Sequence, residues 1–173
     1  HSSRRSFLQR ATVLSVSGLI PGAARAADGE KKEPFKISLA QWSLNKRFFK
    51  KQGAEPLDHL DFAKTARKLG IEGVEYVNQM FFDKAADQSY LAEMQKRADG
   101  EGVKSLLIMC DREGNLGDPD DARRSKTIEN HLKWLDAAKF PGCHSIRVNA
   151  ARDAKLPVDE QATLAADALH RLV

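Results

Sequence analysis

Three features of the sequence place this chain in the parallel α/β class. From Phe35 onward an apolar strand pattern, a polar turn and an amphipathic helix pattern follow one another four times. The step is roughly 30 to 40 residues, which suits a crossover between parallel strands and is too long for a hairpin. Each of the first three helix patterns ends at glycine or proline, and a new strand pattern starts at once. Two architectures satisfy this reading, an open doubly wound sheet and a closed eight-fold barrel. A barrel needs about 250 residues, whereas 147 of the 173 follow residue 26. On the barrel reading, the expectation is therefore a first half that stops within its fourth helix.

The elements follow in order. The strand candidates are Phe35–Trp42, Ile71–Asn78, Val103–Asp111 and His144–Asn149, each rich in apolar residues and bounded by turn formers. The first helix carries Leu57, Leu60, Ala63 and Ala66 on one face and stops after Leu69 at Gly70. The second carries Tyr90, Leu91, Met94 and Ala98 before Gly100 and Gly102. The third carries Ile128, Leu132, Leu135 and Ala138 before Pro141 and Gly142, and the fourth sets Val158, Ala162, Ala165, Leu169 and Leu172 in one stripe.

Residues 1–26 read as an address and not as part of the fold. Ser3-Arg4-Arg5-Ser6-Phe7-Leu8-Gln9 matches the twin-arginine export signature, with Gln9 where lysine is commoner. A short apolar run from Ala11 to Ile20 and the small-x-small motif Ala24-Arg25-Ala26 complete the signal, so cleavage is expected before Ala27. The run is too short for a membrane span, which takes about 20 residues. These elements predict an exported, periplasmic bacterial protein carried by the twin-arginine machinery, with residues 27–34 as a linker and 35–173 as the folded domain.

Removing the leader changes the charge. Four of the 28 basic residues lie in residues 1–26, which hold no acid, so 24 basic and 24 acidic side chains balance over the rest. Neutrality excludes the cationic surplus of a nucleic-acid binder, and Lys46, Arg47, Lys50 and Lys51 read as a solvated loop. Cys110 and Cys143 fall at opposite ends of their strands, beyond disulfide reach, and are expected to be buried thiols.

Function in such folds gathers at the carboxyl ends of the strands. Alternation sets Glu75 on the opposite face from Val74 and Tyr76, and Arg147 with Asn149 on the opposite face from Ile146 and Val148. A carboxylate in an apolar strand is costly unless paired or wetted by a site. Glu75 and Arg147 are therefore read either as a mutual ion pair bracing the fold or as residues lining a substrate site. Trp42, near the end of the first strand, either floors a sugar pocket or fills the core. Asp111 opens a loop running through Asp118-Pro119-Asp120-Asp121, of a length often seen in lids. Asp111, Glu113 and Asn115 alternate like the start of a calcium loop, but Leu116 and Ala122 stand where glycine and glutamate are required, so a capped, solvated turn is expected. His59 and His131 are placed on helices facing partners or solvent, His144 opposite the site, and His170 in the last helix. No His-x-x-x-His, glycine-rich phosphate loop, nucleophile elbow or Cys-x-x-Cys occurs, and no metal site is assembled from these residues.

Four segments resemble exported sugar phosphate isomerase/epimerase proteins with the xylose-isomerase-like barrel: Leu39-Ala40-Gln41-Trp42-Ser43-Leu44, Leu60-Asp61-Phe62-Ala63, Leu69-Gly70-Ile71-Glu72-Gly73-Val74-Glu75-Tyr76 and Gly142-Cys143-His144-Ser145-Ile146-Arg147-Val148-Asn149. The resemblance runs from about Ile37 onward and implies the N-terminal half of a (β/α)8 TIM barrel. It further implies a metal-dependent isomerase or epimerase acting on a small sugar, sugar phosphate or keto acid. A divalent metal (Mn, Mg, Co or Zn) would orient the carbonyl while carboxylates move the proton, and its ligands would come from later strands. Glu75, Asp111, Arg147, Asn149 and Trp42 then become candidates for lining the substrate pocket. The alternatives are a non-catalytic exported carbohydrate-binding barrel and a metal nuclease for abasic DNA; neutrality, the export signal and Asn149 argue against the nuclease. A half barrel by itself is expected to be inactive and marginal, since it leaves two parallel edges open.

Overall fold

The computed structural model describes residues 35–150 and 155–173; the signal, the linker and their expected roles lie outside the described residues. The order is β1 (Leu39–Ala40), α1 (Asn45–Phe48), α2 (Phe62–Lys68), β2 (Gly73–Val77), α3 (Gln88–Gly100), β3 (Lys104–Met109), α4 (Asp121–Lys139), β4 (Ser145–Arg147) and α5 (Val158–Leu172), with single-turn 3-10 helices at Gln41–Leu44, His59–Asp61, Asn78–Met80 and Phe82–Lys84. All strand pairs are parallel and the sheet order is β1-β2-β3-β4. Neighbouring strands in sequence are therefore neighbours in the sheet, the arrangement of consecutive barrel units.

Local chemistry starts and stops these elements. Asp58, Asp87 and Asp120 each accept a hydrogen bond from a backbone N–H in the first turn that follows, at 2.8, 3.0 and 2.9 Å, which satisfies one of the unpaired donors at a helix start. After α4 the chain turns into β4 through Gly142 at φ +76°, a left-handed geometry that glycine takes without steric cost.

The core lies between the sheet and the helices. Val74, Tyr76, Ile108 and Cys110 point outward from the strands and meet Phe62, Phe81, Leu91, Met94 and Trp134. Phe62, Ile108 and Trp134 are wholly buried, and burial of side chains this large contributes about 1.5–3 kcal/mol each. Phe81 meets Trp134 edge-on at 5.3 Å, a favoured aromatic geometry. A second cluster, Leu116, Ile128 and Ala168, seats α5 on α4.

Several expectations are corrected here. The first strand shrinks to two residues because only Leu39 and Ala40 find partners in β2; Phe35 and Ile37 are 68% and 61% exposed. The stripe expected on α4 is displaced, since Leu132 is exposed while His131 and Trp134 are buried. On α5 the buried position is Ala168, not Leu169; Arg124 pairs with Asp167 and Arg171 with Asp121 between the two helices, which suits this rotation of α5. Of the two alternatives for His59, partners or solvent, the structure has partners: it is buried, shares a 2.8 Å hydrogen bond with Tyr90 and stacks on Phe81 at 4.4 Å. His131 is also buried, its Nδ1 on the Thr127 carbonyl at 2.7 Å. Cys110 and Cys143 are free thiols as expected, but Cys110 is buried and Cys143 only half-buried; burial pushes the pKa of both up to about 12.

Candidate functional site

The parallel register decides which side chains share a layer on the inner face of the sheet. Val77, Met109 and Arg147 are aligned across β2, β3 and β4, and Glu75, Leu107 and Ser145 form the layer beneath them. Asp111 and Asn149 follow one strand alternation beyond Met109 and Arg147. Together with Ala40, Trp42 and Ser43 from the end of β1, the upper residues line a concave site of about 480 Å³ at the carboxyl ends of the strands.

Of the residues singled out in the sequence, Trp42, Asp111, Arg147 and Asn149 lie in this lining, and Glu75 does not. Glu75 and Arg147 are not mutual partners, because one alternation of the pleat separates their layers. Glu75 accepts a 2.5 Å hydrogen bond from the Ser38 hydroxyl. Arg147 instead places Nη1 at 2.5 Å from Asn149 Oδ1 and 3.4 Å from Asp111 Oδ1, with Nη2 at 3.4 Å from Met109 Sδ. Trp42 does not fill the core: it is 46% exposed and braced edge-on by Phe49 at 6.1 Å.

Asp111 is the centre of the polar wall. Its Oδ1 accepts from Asn149 Nδ2 at 2.8 Å, and its Oδ2 accepts from Gln79 Nε2 at 3.1 Å. The main chain of Asp111 is held as well. Its N–H donates to Asn78 Oδ1 and its carbonyl accepts from Asn78 Nδ2, both at 2.9 Å. Gln41, wholly buried, accepts from the Val77 N–H at 2.8 Å and so ties the β1 turn to the end of β2. Sequence reasoning missed Gln41, Asn78 and Gln79. The available signal was their place, since all three lie within two residues of the end of a strand whose carboxyl end faces the site.

The loop after Asp111 is not the solvated turn expected. Glu113 is 4% exposed and takes the Trp134 indole N–H at 2.5 Å and the Lys133 ammonium at 3.0 Å, while Leu116 is wholly buried. Asp111 and Glu113 thus face different layers, which rules out a shared calcium site, and the anchored loop is no free lid. Between them Arg112 takes φ +63°, a conformation a side chain adopts only where its surroundings impose it.

No group of three or more His, Cys, Asp or Glu side chains that could hold a metal occurs among the described residues. The carboxylate of the pocket lining is Asp111, and donors from Gln79, Arg147 and Asn149 already engage it. These residues do not fit a divalent metal.

Residues 63–173 match the family described as xylose isomerase-like TIM barrel. The chain belongs to that family. Three solved structures share its fold. A 3-keto-D-glucoside 4-epimerase from E. coli is 19% identical, with a TM-score of 0.55 over 70% of this chain and 48% of that one. A D-psicose 3-epimerase solved in the presence of D-fructose is 15% identical, TM-score 0.61, over 80% and 47%. The D-psicose 3-epimerase of Clostridium cellulolyticum H10 with D-tagatose is 14% identical, TM-score 0.61, over 80% and 47%. The chain thus spans about half the length of these structures. No curated protein matches it by sequence.

Proposed function

We propose that these four βα units form the sugar-binding wall of an exported epimerase or isomerase that acts on a ketose or keto-sugar. The observation that carries the reading is the placement of Asp111, Arg147 and Asn149 around one concave site at the carboxyl ends of parallel strands. Arg147 and Asn149 offer donors to carbonyl and hydroxyl oxygens, and Asp111 accepts from hydroxyls. The Trp42 ring supplies an apolar face against the C–H surface of a sugar. Charge supports an uncharged polyol, since the Arg147 guanidinium already has a carboxylate at 3.4 Å. This wall binds and orients; the metal that the family resemblance implies and the proton-moving carboxylates fall to strands beyond β4. Export rests on Arg4 and Arg5 within the twin-arginine pattern and on Ala24-Arg25-Ala26.

A second reading, a carbohydrate-binding barrel without catalysis, draws on the engagement of both Asp111 oxygens by protein donors. One experiment separates the two. The full-length protein is incubated with D-fructose, D-tagatose or a 3-keto-glucoside in deuterated water, and deuterium at the carbon beside the carbonyl is followed by NMR. Exchange that is lost in Asp111→Ala and Arg147→Ala supports the enzyme. Binding without exchange supports the second reading, and no binding by any of these sugars overturns both.

A further inference from the structure

Asp111 lies two residues beyond the last paired residue of β3, where a carboxylate on a loop would ordinarily sweep through several rotamers. Here it is gripped from the end of β2. Asn78, wholly buried, reproduces a rung of β ladder with the Asp111 main chain, donating to its carbonyl and accepting from its N–H at 2.9 Å. Its neighbour Gln79 then donates from Nε2 to Asp111 Oδ2 at 3.1 Å. The opposite oxygen, Oδ1, is met from β4 by Asn149 and Arg147. Asn78 thus sets where the residue sits, and Gln79 with Asn149 sets the plane of the carboxylate between them. Each carboxylate oxygen has more than one acceptor direction, so Oδ2, which takes one donor from Gln79, has capacity for a second in a residue that lines the site.

We propose that Gln79 is a positioning residue that fixes the Asp111 carboxylate in the orientation in which it accepts from a sugar hydroxyl. The proposal rests on the reading of the pocket as a sugar site. A preset acceptor spares the ordering cost of binding, so loss of the Gln79 bond weakens affinity through Asp111 and not through the fold.

The test is a double-mutant cycle on D-fructose affinity in the full-length protein, using Gln79→Leu, which keeps the shape and removes the donor, and Asp111→Ala. Gln79→Leu is expected to weaken binding about tenfold with the melting temperature unchanged, and to add nothing in the Asp111→Ala background. Persistence of the loss in that background overturns the proposal, as does unchanged affinity in Gln79→Leu while Asp111→Ala binds weakly. If Asp111→Ala has no effect, or wild type does not bind D-fructose, the sugar-site reading fails for this probe. The 13C resonance of the Asp111 carboxyl then decides the positioning claim: a shift in Gln79→Leu supports it and no shift overturns it.

Discussion

The Glu113 carboxylate receives the Trp134 indole N–H at 2.5 Å in the layer between sheet and helices, although Asp111, two residues earlier, lines the pocket on the other side of the sheet. One short loop therefore serves two layers, held at Asp111 by groups of the pocket wall and at Glu113 by groups that the pocket never touches.

Removing the buried end of that anchor leaves the Trp134 N–H without its acceptor and Lys133 without its counter-charge. Glu113→Ala is expected to destabilise by about 2–4 kcal/mol, somewhat below the usual cost of a broken buried pair because Lys133 is partly solvated. Glu113→Gln, which still accepts from the indole, is expected to lose about 1 kcal/mol. Urea denaturation followed by tryptophan fluorescence measures both, and equal losses in the two variants contradict the account.

Gly114 sits at φ +109°, and a Cβ there would clash with Thr127 Oγ1. Gly114→Ala therefore combines backbone strain with a clash, and about 2–4 kcal/mol of stability should be lost. Thr127→Ala in the same chain removes the nearest atom but not the φ penalty. The double variant should recover part of the loss, and a purely additive result would show that space is not the issue.

Burial of His59 lowers its pKa to about 3, opposed weakly by the nearby Asp58 carboxylate. The unfolded chain takes up a proton near pH 6.5 while the folded chain does so near 3. Stability is thus fully present above pH 6.5 and declines as pH falls through this window, by an amount on the order of 5 kcal/mol. His59→Phe removes the titrating group; a pH slope of unfolding free energy unchanged in that variant would assign the acid sensitivity elsewhere.

Arg124 is 8% exposed and donates to Asp121 at 2.7 Å, Asp167 at 3.3 Å and the Asp118 carbonyl at 2.8 Å. Arg171 reaches the same two carboxylates. With a small apolar contact around Ala168, α5 depends on this network for its seat on α4. Arg124→Met is expected to lower hydrogen-exchange protection across α5 by about 1–2 kcal/mol, and 1 M salt to produce a smaller loss in wild type by screening the exposed partners. Uniform loss across the whole domain would count against a local role.

Much of the fold was legible because its signals are local. The alternation in Ile71–Asn78 and His144–Asn149 put Glu75, Arg147 and Asn149 on one face, where β2 and β4 carry Glu75 and Arg147 and where Asn149 follows beyond the end of β4. Helix faces were legible only to within a residue. Leu132 and Leu169 fit the apolar period yet are exposed, while His59 and His131 are buried because each finds a hydrogen-bond partner inside. A hydrophobicity pattern contains no term for such partners, so it misplaces residues whose burial depends on one.

By itself the sequence determined the parallel α/β class and the order of the units, and it offered as candidates four residues that line the concave site at the carboxyl ends of the strands. Only the tertiary structure decided which polar groups meet. Glu75 and Arg147 were separated into different layers by the strand register, and Asn78 and Gln79 were brought to Asp111 across more than thirty residues of chain. Periodicity assigns a residue to a face, but pairing requires distance along the strands and between them, and those are set only when neighbouring strands lock into register.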